Sequence, residues 1–321
     1  MDHPFTLAHF SDPHLPLPAG LVPGSRELMG KRLLAYLSWR RKRERAHNGD
    51  RLKALLGDVA AAEPDAVAVT GDLINLALPG EFRAAARWLE ALGDPARVCL
   101  VPGNHDALVA VPEEQGIGAW HPWLKGDGAW EGFPTLRRRG GVALVGLSSA
   151  RPTWPLLAGG WLGRAQLARV EQMLAELREQ GLFRVVLIHH PPVDPGSLRI
   201  ALWDALSLRK ILRRVGAELV LHGHRHLWIR NSLPGPGGAI PVLGVPSASR
   251  GEGEHASRWN LHRISPLRSG WQLSTETRGW VSPEVGFGCV ARWSTVIPRA
   301  SRGARRGAPV AAGASLLSTG A

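Results

Sequence analysis

The chain has 321 residues, 44% of them hydrophobic and 21% charged, a composition that indicates a folded globular protein and excludes a fibrous or wholly disordered one. Its formal charge is +12, and its two cysteines are too few for a disulfide framework. No run of about 18 apolar residues occurs, so the sequence predicts no membrane span.

The basic charge is concentrated near the N-terminus. Ten basic residues lie between Arg26 and Lys53, opposed by three acidic ones. Such clusters attract polyanions, although a solvated basic face is an equally good interpretation. The first residues contain no basic segment followed by an apolar stretch, so we expect no secretory signal and a cytoplasmic location.

Strand-like and helix-like segments alternate over most of the chain. Apolar runs predict strands at 5–10, 66–70, 97–101, 142–147, 184–188 and 218–221. Amphipathic spacing predicts helices at 26–45, 51–62, 81–92, 164–179 and 206–215. Residues 241–245, 259–264 and 271–277 then predict antiparallel strands. This order indicates one α/β domain over residues 1–281 with a β-rich second half.

From residue 282 onward, Gly, Ala, Ser, Pro and Arg dominate and no periodicity is visible. The composition predicts a disordered basic tail over 282–321. A misassigned reading frame is the alternative interpretation.

Polar side chains follow five of the predicted strands at the point where each strand ends. They are Asp12, His14, Asp72, Asn104, His105, His189, His224 and His226. Ligands of open α/β sheets bind outside the carboxyl ends of the strands, so we expect these side chains to converge. Mixed oxygen and nitrogen donors suit Mn, Fe or Zn, and two such ions roughly 3.5–4 Å apart hydrolyse phosphate esters in many enzymes. Each segment alone is explained better by a turn or a helix cap, so the prediction rests on the ordered set.

The segments Asp12-Pro13-His14, Gly71-Asp72, Gly103-Asn104-His105-Asp106, His189 and Gly223-His224-Arg225-His226 resemble the five motifs of the calcineurin-like metallophosphoesterase superfamily. Within it, they are most similar to bacterial phosphodiesterases related to class III cyclic-nucleotide phosphodiesterases. The resemblance covers Phe5 to about Leu227. It implies a four-layer α-β-β-α sandwich of two mixed β-sheets flanked by helices, with the metal site at the C-terminal edge of the strands.

The resemblance also implies a role for each residue. Asp12, His14 and His226 would hold one metal ion, Asn104, His189 and His224 the other, and Asp72 would bridge the pair. A hydroxide shared by the ions would attack phosphorus in a small-molecule phosphoester, more readily a diester than a monoester. His105 would stabilise the transition state or protonate the leaving group, and Asp106 would orient it.

The basic amphipathic segment 26–45 enlarges the loop after the first motif. It could cap the active site, dock on anionic lipid at the inner face of the membrane, or mediate oligomerisation. A surface helix whose apolar side covers the core is the simpler interpretation.

Three other functions stay open from the sequence. The first is hydrolysis of phospholipids or lipid–nucleotide pyrophosphates at a membrane. A nuclease is less well supported, because no stacking-aromatic motif accompanies the basic charge. A non-catalytic metal-binding scaffold is disfavoured, because every expected ligand position and His105 are present.

Overall fold

Two six-stranded mixed β-sheets form the centre of the fold. The computed structural model describes residues 3–21, 23–24, 26–193, 196–251, 253 and 255–299, with the backbone alone at 42, 43 and 45. The strands are β1 (Phe5–Phe10), β2 (Ala66–Val69), β3 (Val98–Leu100), β4 (Thr135–Arg139), β5 (Val142–Gly146), β6 (Phe183–Leu187), β7 (Leu219–His222), β8 (Ile229–Gly235), β9 (Gly238–Gly244), β10 (Arg258–Leu267), β11 (Gly270–Ser282) and β12 (Gly286–Pro298). Their orders are β12-β11-β10-β1-β2-β3 and β4-β5-β6-β7-β9-β8.

The helices pack outside the two sheets. They are α1 (Lys31–Ser38), α2 (Glu44–Ala46), α3 (Gly49–Ala61), α4 (Pro79–Leu92), α5 (His121–Leu124), α6 (Arg164–Glu179) and α7 (Ala205–Val215), with a π-helical turn at Trp39–Arg43 between α1 and α2. The side chain of Asn48 caps α3 by accepting the backbone N–H groups of Asp50 and Arg51. None of the described helices combines the length and the hydropathy needed to cross a bilayer.

Three apolar cores separate the layers. One lies between the sheets and includes Leu7, Val185 and Leu221. A second packs α3 and α4 on the first sheet, and a third packs α6 and α7 on the second sheet. Because each sheet is apolar on both faces, it requires a partner layer on each side. The predicted four-layer α/β sandwich is therefore confirmed.

Parallel strands bring the motif loops to one edge. β1, β2 and β3 run parallel in the first sheet, and β5, β6 and β7 run parallel in the second. The two sheets meet at this edge, where the carbonyl oxygen of Ser11 accepts the N–H of Ala248. The loops that follow β1, β2, β3, β6 and β7 therefore surround one space.

The prediction of a disordered tail from residue 282 is wrong for its first part. β11 extends to Ser282, and β12 pairs with it along its length as the edge of the first sheet. Phe287 and Ile297 are buried, whereas much of the other face of β12 is exposed. β12 carries apolar residues at alternate positions, namely Phe287, Cys289, Ala291, Trp293 and Ile297, but the Gly-, Ala-, Ser- and Arg-rich composition of 282–321 as a whole obscured this pattern. Residues 300–321 lie outside the described residues.

The basic segment is helical from Lys31 rather than from residue 26. Leu33, Leu34 and Leu37 are 42–44% exposed, and no residue of α1 is buried. Ala35 packs against the core instead. The interpretation that the apolar side of this helix covers the core is therefore wrong, because most of that side faces solvent.

Candidate metal centre

The structure brings the predicted ligands together at the edge between the two sheets. Ligand atoms of Asp12, His14, Asp72 and His226 all lie within 4.8 Å of one another. A second group, with the same spacing, joins His189, His190 and His224. Asn104 lies beside this second group, since its Oδ1 is 3.2 Å from Nε2 of His189.

Asp72 lies between the two groups. Its Oδ2 is 3.4 Å from Nε2 of His189 and 3.8 Å from Nε2 of His14. Its Oδ1 accepts the backbone N–H of His105 at 2.7 Å. One carboxylate oxygen thus faces ligands from both groups, which is the arrangement that a bridging carboxylate requires.

Hydrogen bonds to backbone carbonyls orient the imidazoles of the second group. Nδ1 of His189 donates to the carbonyl oxygen of Thr70 at 2.6 Å, which directs Nε2 towards Asp72. Nε2 of His224 donates to the carbonyl oxygen of Ile200 at 2.8 Å, which leaves Nδ1 for a cation. Such bonds commonly fix the tautomer and the orientation of metal-binding histidines.

The second group also contains His190, which the sequence did not predict as a ligand. Its Nδ1 lies 2.7 Å from Oγ of Ser149, and its Nε2 lies 3.0 Å from the carbonyl oxygen of Ala158. Because both ring nitrogens already have partners, His190 supports the site from behind. Asn104 stays the predicted third ligand of this group.

The backbone is strained at the ligands. Among the described non-glycine residues, eight have positive φ, and five of these are the predicted ligands Asp12, His14, Asp72, His224 and His226. Left-handed backbone is unfavourable for residues with a side chain and persists where the surrounding structure enforces it. The strain therefore lies at the residues that must turn towards the shared space.

Two motif glycines allow the loops to approach each other closely. A Cβ atom at Gly103 would collide with the Asp72 carboxylate, and one at Gly223 would collide with Ser11 and the Asp12 carboxylate. Only glycine leaves room for these two acids.

The electrostatics favour bound cations. Burial alone would raise the pKa of Asp72, yet the neighbouring ring of His189 holds it well below its usual range. Burial lowers the pKa of His14 and of His224 well below the ordinary histidine value. These shifts favour the deprotonated forms of Asp72, His14 and His224, which are the forms that bind metal ions. The facing Nε2 atoms of His14 and His226, 3.3 Å apart, also fit a cation between them.

The raised pKa of His189 indicates a negative electrostatic potential between the two groups of ligands. Burial acts to lower its pKa, but the Asp72 and Asp12 carboxylates raise the pKa of His189 to about 9. The two acids thus attract positive charge at the position where a cation would replace the proton.

The hydrogen bonds of Asp106 join two of the motif loops. Its two carboxylate oxygens accept the backbone N–H groups of Asp72, Leu73, Ile74 and Gly103 at 2.8–3.2 Å. Burial and the neighbouring Asp72 raise its pKa, and these donors limit the rise. Asp106 therefore fastens the loop after β2 to the loop after β3. Its oxygens hold Asp72 in place, and its part in orienting His105 stays a prediction.

A backbone carbonyl contacts the His105 ring. Nδ1 of His105 donates to the carbonyl oxygen of Asn75 at 2.8 Å. The Asn75 N–H donates to the buried Glu81 carboxylate, which also accepts the N–H groups of Leu76 and Leu78. Glu81, in the first turn of α4, thus fixes the loop around Asn75, and the carbonyl group of Asn75 in turn fixes the His105 ring.

His47 is a site neighbour that the sequence motifs missed. Its ring centroid lies 4.5 Å from that of His14 and 6.0 Å from that of His226. Its Nδ1 lies 2.7 Å from Oγ of Ser249. His47 follows no strand and stands at the end of the basic segment, so no local pattern connects it with the ligands. An antiparallel bridge between His47 and Arg250 brings it there.

The sequence and the fold define the class of protein. The family model for calcineurin-like phosphoesterases matches residues 5–227, and the chain belongs to this family. The matched range contains every predicted ligand.

The similar proteins include named phosphodiesterases. The chain is 28% identical over 183 residues to a probable cyclic nucleotide phosphodiesterase of Synechococcus sp., covering 55% of this chain and 63% of that one. It is 30% identical over 193 residues to glycerophosphodiester phosphodiesterase GpdQ of Enterobacter lignolyticus, covering 56% and 62%. The chain thus matches about three fifths of the length of these relatives.

Solved structures show the same fold. The purple acid phosphatase PPD1 from yellow lupin seeds superposes with a TM-score of 0.60 at 14% identity, over 91% of this chain and 53% of that one. At this identity the likeness concerns the fold alone.

Proposed function

We propose that this protein is a dinuclear metal-dependent phosphodiesterase that acts on a small-molecule phosphodiester. The observation that carries the proposal is the position of Asp72 Oδ2, which faces His189 and His14 at 3.4 and 3.8 Å. Family membership already implies a metal-dependent phosphoester hydrolase. The phosphodiesterase names of two relatives support the preference for diesters.

Asp12, His14 and His226 would hold one cation, and Asn104, His189 and His224 the other, with Asp72 common to both. The mixture of imidazole, carboxylate and amide donors fits Mn, Fe or Zn. Bound together, two such ions activate water as a nucleophile and stabilise negative charge on phosphoryl oxygens.

His105 would protonate the leaving oxygen. It is buried, lines the cleft beside Asn104, and has its Nδ1 held by Asn75. Nε2 would then be the nitrogen that serves as general acid. Asp106 would act indirectly by keeping the loop of Asp72 against the loop of Asn104 and His105.

We also propose that the enzyme is cytoplasmic and contacts the inner face of the membrane through its basic segment. Support comes from α1, which combines exposed leucines with lysine and arginine side chains.

Metal removal and reconstitution test the proposed function. We expect the chelator-treated protein to be inactive and the Mn²⁺-loaded protein to hydrolyse bis(p-nitrophenyl) phosphate faster than p-nitrophenyl phosphate. Activity should saturate at two equivalents of metal ion per chain. Turnover in the chelated protein would refute metal dependence, saturation at one equivalent would refute the dinuclear centre, and a faster monoester would refute the diester preference.

The role of His105 predicts a dependence on the leaving group. We expect His105→Ala to lower kcat on a diester with an alkoxide leaving group by about 10²–10⁴-fold, the usual contribution of general acid catalysis. The loss should be much smaller with p-nitrophenolate, which leaves without a proton. The exposed His3 offers a matched control, His3→Ala, with unchanged rates. Equal losses on both substrates would rule out proton donation by His105.

A further inference from the structure

A cleft of about 440 Å³ opens beside Asn104 and His105. This volume is in the range typical of small-molecule sites, roughly 300–1,000 Å³. Beyond these two polar residues, most of its lining is apolar and comprises Leu34, Ala35, Leu108, Leu156, Leu157, Ala158 and Ile200. Two cationic side chains, Lys31 and Arg199, also line it. The cleft is thus polar at the candidate metal centre, and leucine side chains make up much of its walls, interrupted by these two cations and by Ser38 and Ser197.

Three segments build the walls, and hydrogen bonds join them. Nζ of Lys31 donates to Oγ1 of Thr153 at 2.5 Å, which ties α1 to the loop of Leu156 and Leu157. The guanidinium of Arg199 donates to the carbonyl oxygen of Leu156 at 3.0–3.1 Å, which ties that loop to the next. The segment that contains Arg199 and Ile200 also contacts the candidate metal centre, because the carbonyl oxygen of Ile200 accepts a hydrogen bond from Nε2 of His224. The walls are therefore held in place relative to the ligands.

Apolar surface continues outward from the cleft on both sides. On one side, Leu34 of α1 lines the cleft and is 44% exposed. On the other side, Leu156 is 68% exposed and Leu198, next to Arg199, is 83% exposed. Exposed leucines grouped at the entrance of a binding site indicate an apolar ligand rather than chance, because scattered single ones are the norm elsewhere on surfaces.

The pattern of charge and apolar surface is complementary to one kind of molecule. The candidate metal centre and the cations Lys31 and Arg199 match an anionic phosphate group. The leucine-rich walls match a hydrocarbon chain attached to that phosphate. A purely polar diester would leave these walls without a partner.

We infer that the cleft binds phosphodiesters in which one ester group carries a hydrocarbon chain, with the phosphate at the candidate metal centre and the chain along Leu34, Leu156 and Leu157. This inference rests on the proposed function, which it narrows to an amphiphilic class of substrate.

A series of alkyl p-nitrophenyl phosphates tests the inference. Methyl, butyl and octyl esters share the leaving group and differ only in the chain, and each is used below its aggregation concentration with Mn²⁺-loaded protein. Each methylene that enters the cleft raises kcat/KM by up to about fourfold. With partial burial, we expect the octyl ester to exceed the methyl ester by at least about tenfold in kcat/KM.

Substitutions in the walls should remove this preference. In the double variant Leu34→Gln and Leu156→Gln, we expect the octyl-to-methyl ratio of kcat/KM to fall below about threefold, because the walls no longer exclude water from the chain. Leu267→Gln is the matched control. Leu267 is also an exposed leucine, but it lies at the end of β10 opposite the motif loops, since β10 pairs Ile264 with Phe5 and Asn260 with His9. Its ratio should equal that of the wild type.

Equilibrium binding gives a second readout that needs no turnover. Calorimetry with methyl octylphosphonate and methyl methylphosphonate should show at least about tenfold tighter binding of the octyl compound, with a more negative heat-capacity change.

The outcomes separate the two proposals. Hydrolysis of the methyl ester without any gain from the chain would overturn the inference and leave the proposed function intact. Absence of hydrolysis of every ester would refute the function, and the phosphonate affinities would then decide the inference: tighter octyl binding supports it, and equal binding overturns it. A gain that appears only above the aggregation concentration would also overturn it, because the cleft would then not be the binding site.

Discussion

Asp72→Asn should lower kcat/KM for phosphodiester hydrolysis by at least about a thousandfold, equivalent to roughly 4 kcal/mol of transition-state stabilisation. The substitution keeps the size of the side chain, and its Oδ1 can still accept the N–H of His105. It replaces Oδ2, the oxygen that faces both His189 and His14, with an amide nitrogen that cannot bind a cation. The two cations would then lack their shared negative charge and repel each other.

Kinetics and metal analysis of the same preparation measure this effect. We expect elemental analysis to find about two metal ions per chain in the wild type and one or fewer in Asp72→Asn. Asp94→Asn is a suitable control, because the exposed Asp94 caps a turn ahead of β3 at the opposite edge of the sheet. Wild-type activity and full metal content in Asp72→Asn would show that Asp72 does not bridge.

Glu218→Ala should reduce the free energy of unfolding by about 3–5 kcal/mol, because it leaves a buried cation without its partner. Arg184 and Glu218 are both buried, and the guanidinium donates to the two carboxylate oxygens from Nε at 2.8 Å and from Nη2 at 2.7 Å. Nη1 of Arg184 donates to the carbonyl oxygens of Leu174 and Val215. The pair therefore ties β6 and the approach to β7 to helices α6 and α7.

Urea denaturation measures the loss, and two further variants test its cause. The volume-matched double variant Arg184→Met and Glu218→Leu should recover more than half of the loss, since it removes both charges. Glu171→Gln breaks the more exposed ion pair with Arg214 and should cost less than about 1 kcal/mol. A similarly small effect of Glu218→Ala would mean that water reaches Arg184 and that this ion pair does not stabilise the core.

Central strands and amphipathic helices were predictable because their periodicity is local. α6 begins and ends at the residues predicted from its spacing, and β1 spans the predicted 5–10. The strands β4, β8 and β12 were not predicted. Each is the edge of a sheet, with one side open to solvent, so its sequence lacks the apolar run of a central strand. For β12 this led to the wrong prediction of disorder from residue 282.

The sequence by itself determined the fold family and the set of candidate ligands, because each ligand stands directly after a strand and the order of the motifs is local information. Only the tertiary structure decided how the neighbours of those ligands are used. Asp106 accepts backbone N–H groups of two motif loops, His47 reaches the site from the segment that follows α2, and α1 turns Leu34 towards the cleft but Leu33 and Leu37 to solvent. These relations depend on distances between residues that are far apart in the chain. The spacing of residues within one segment carries no information about such distances.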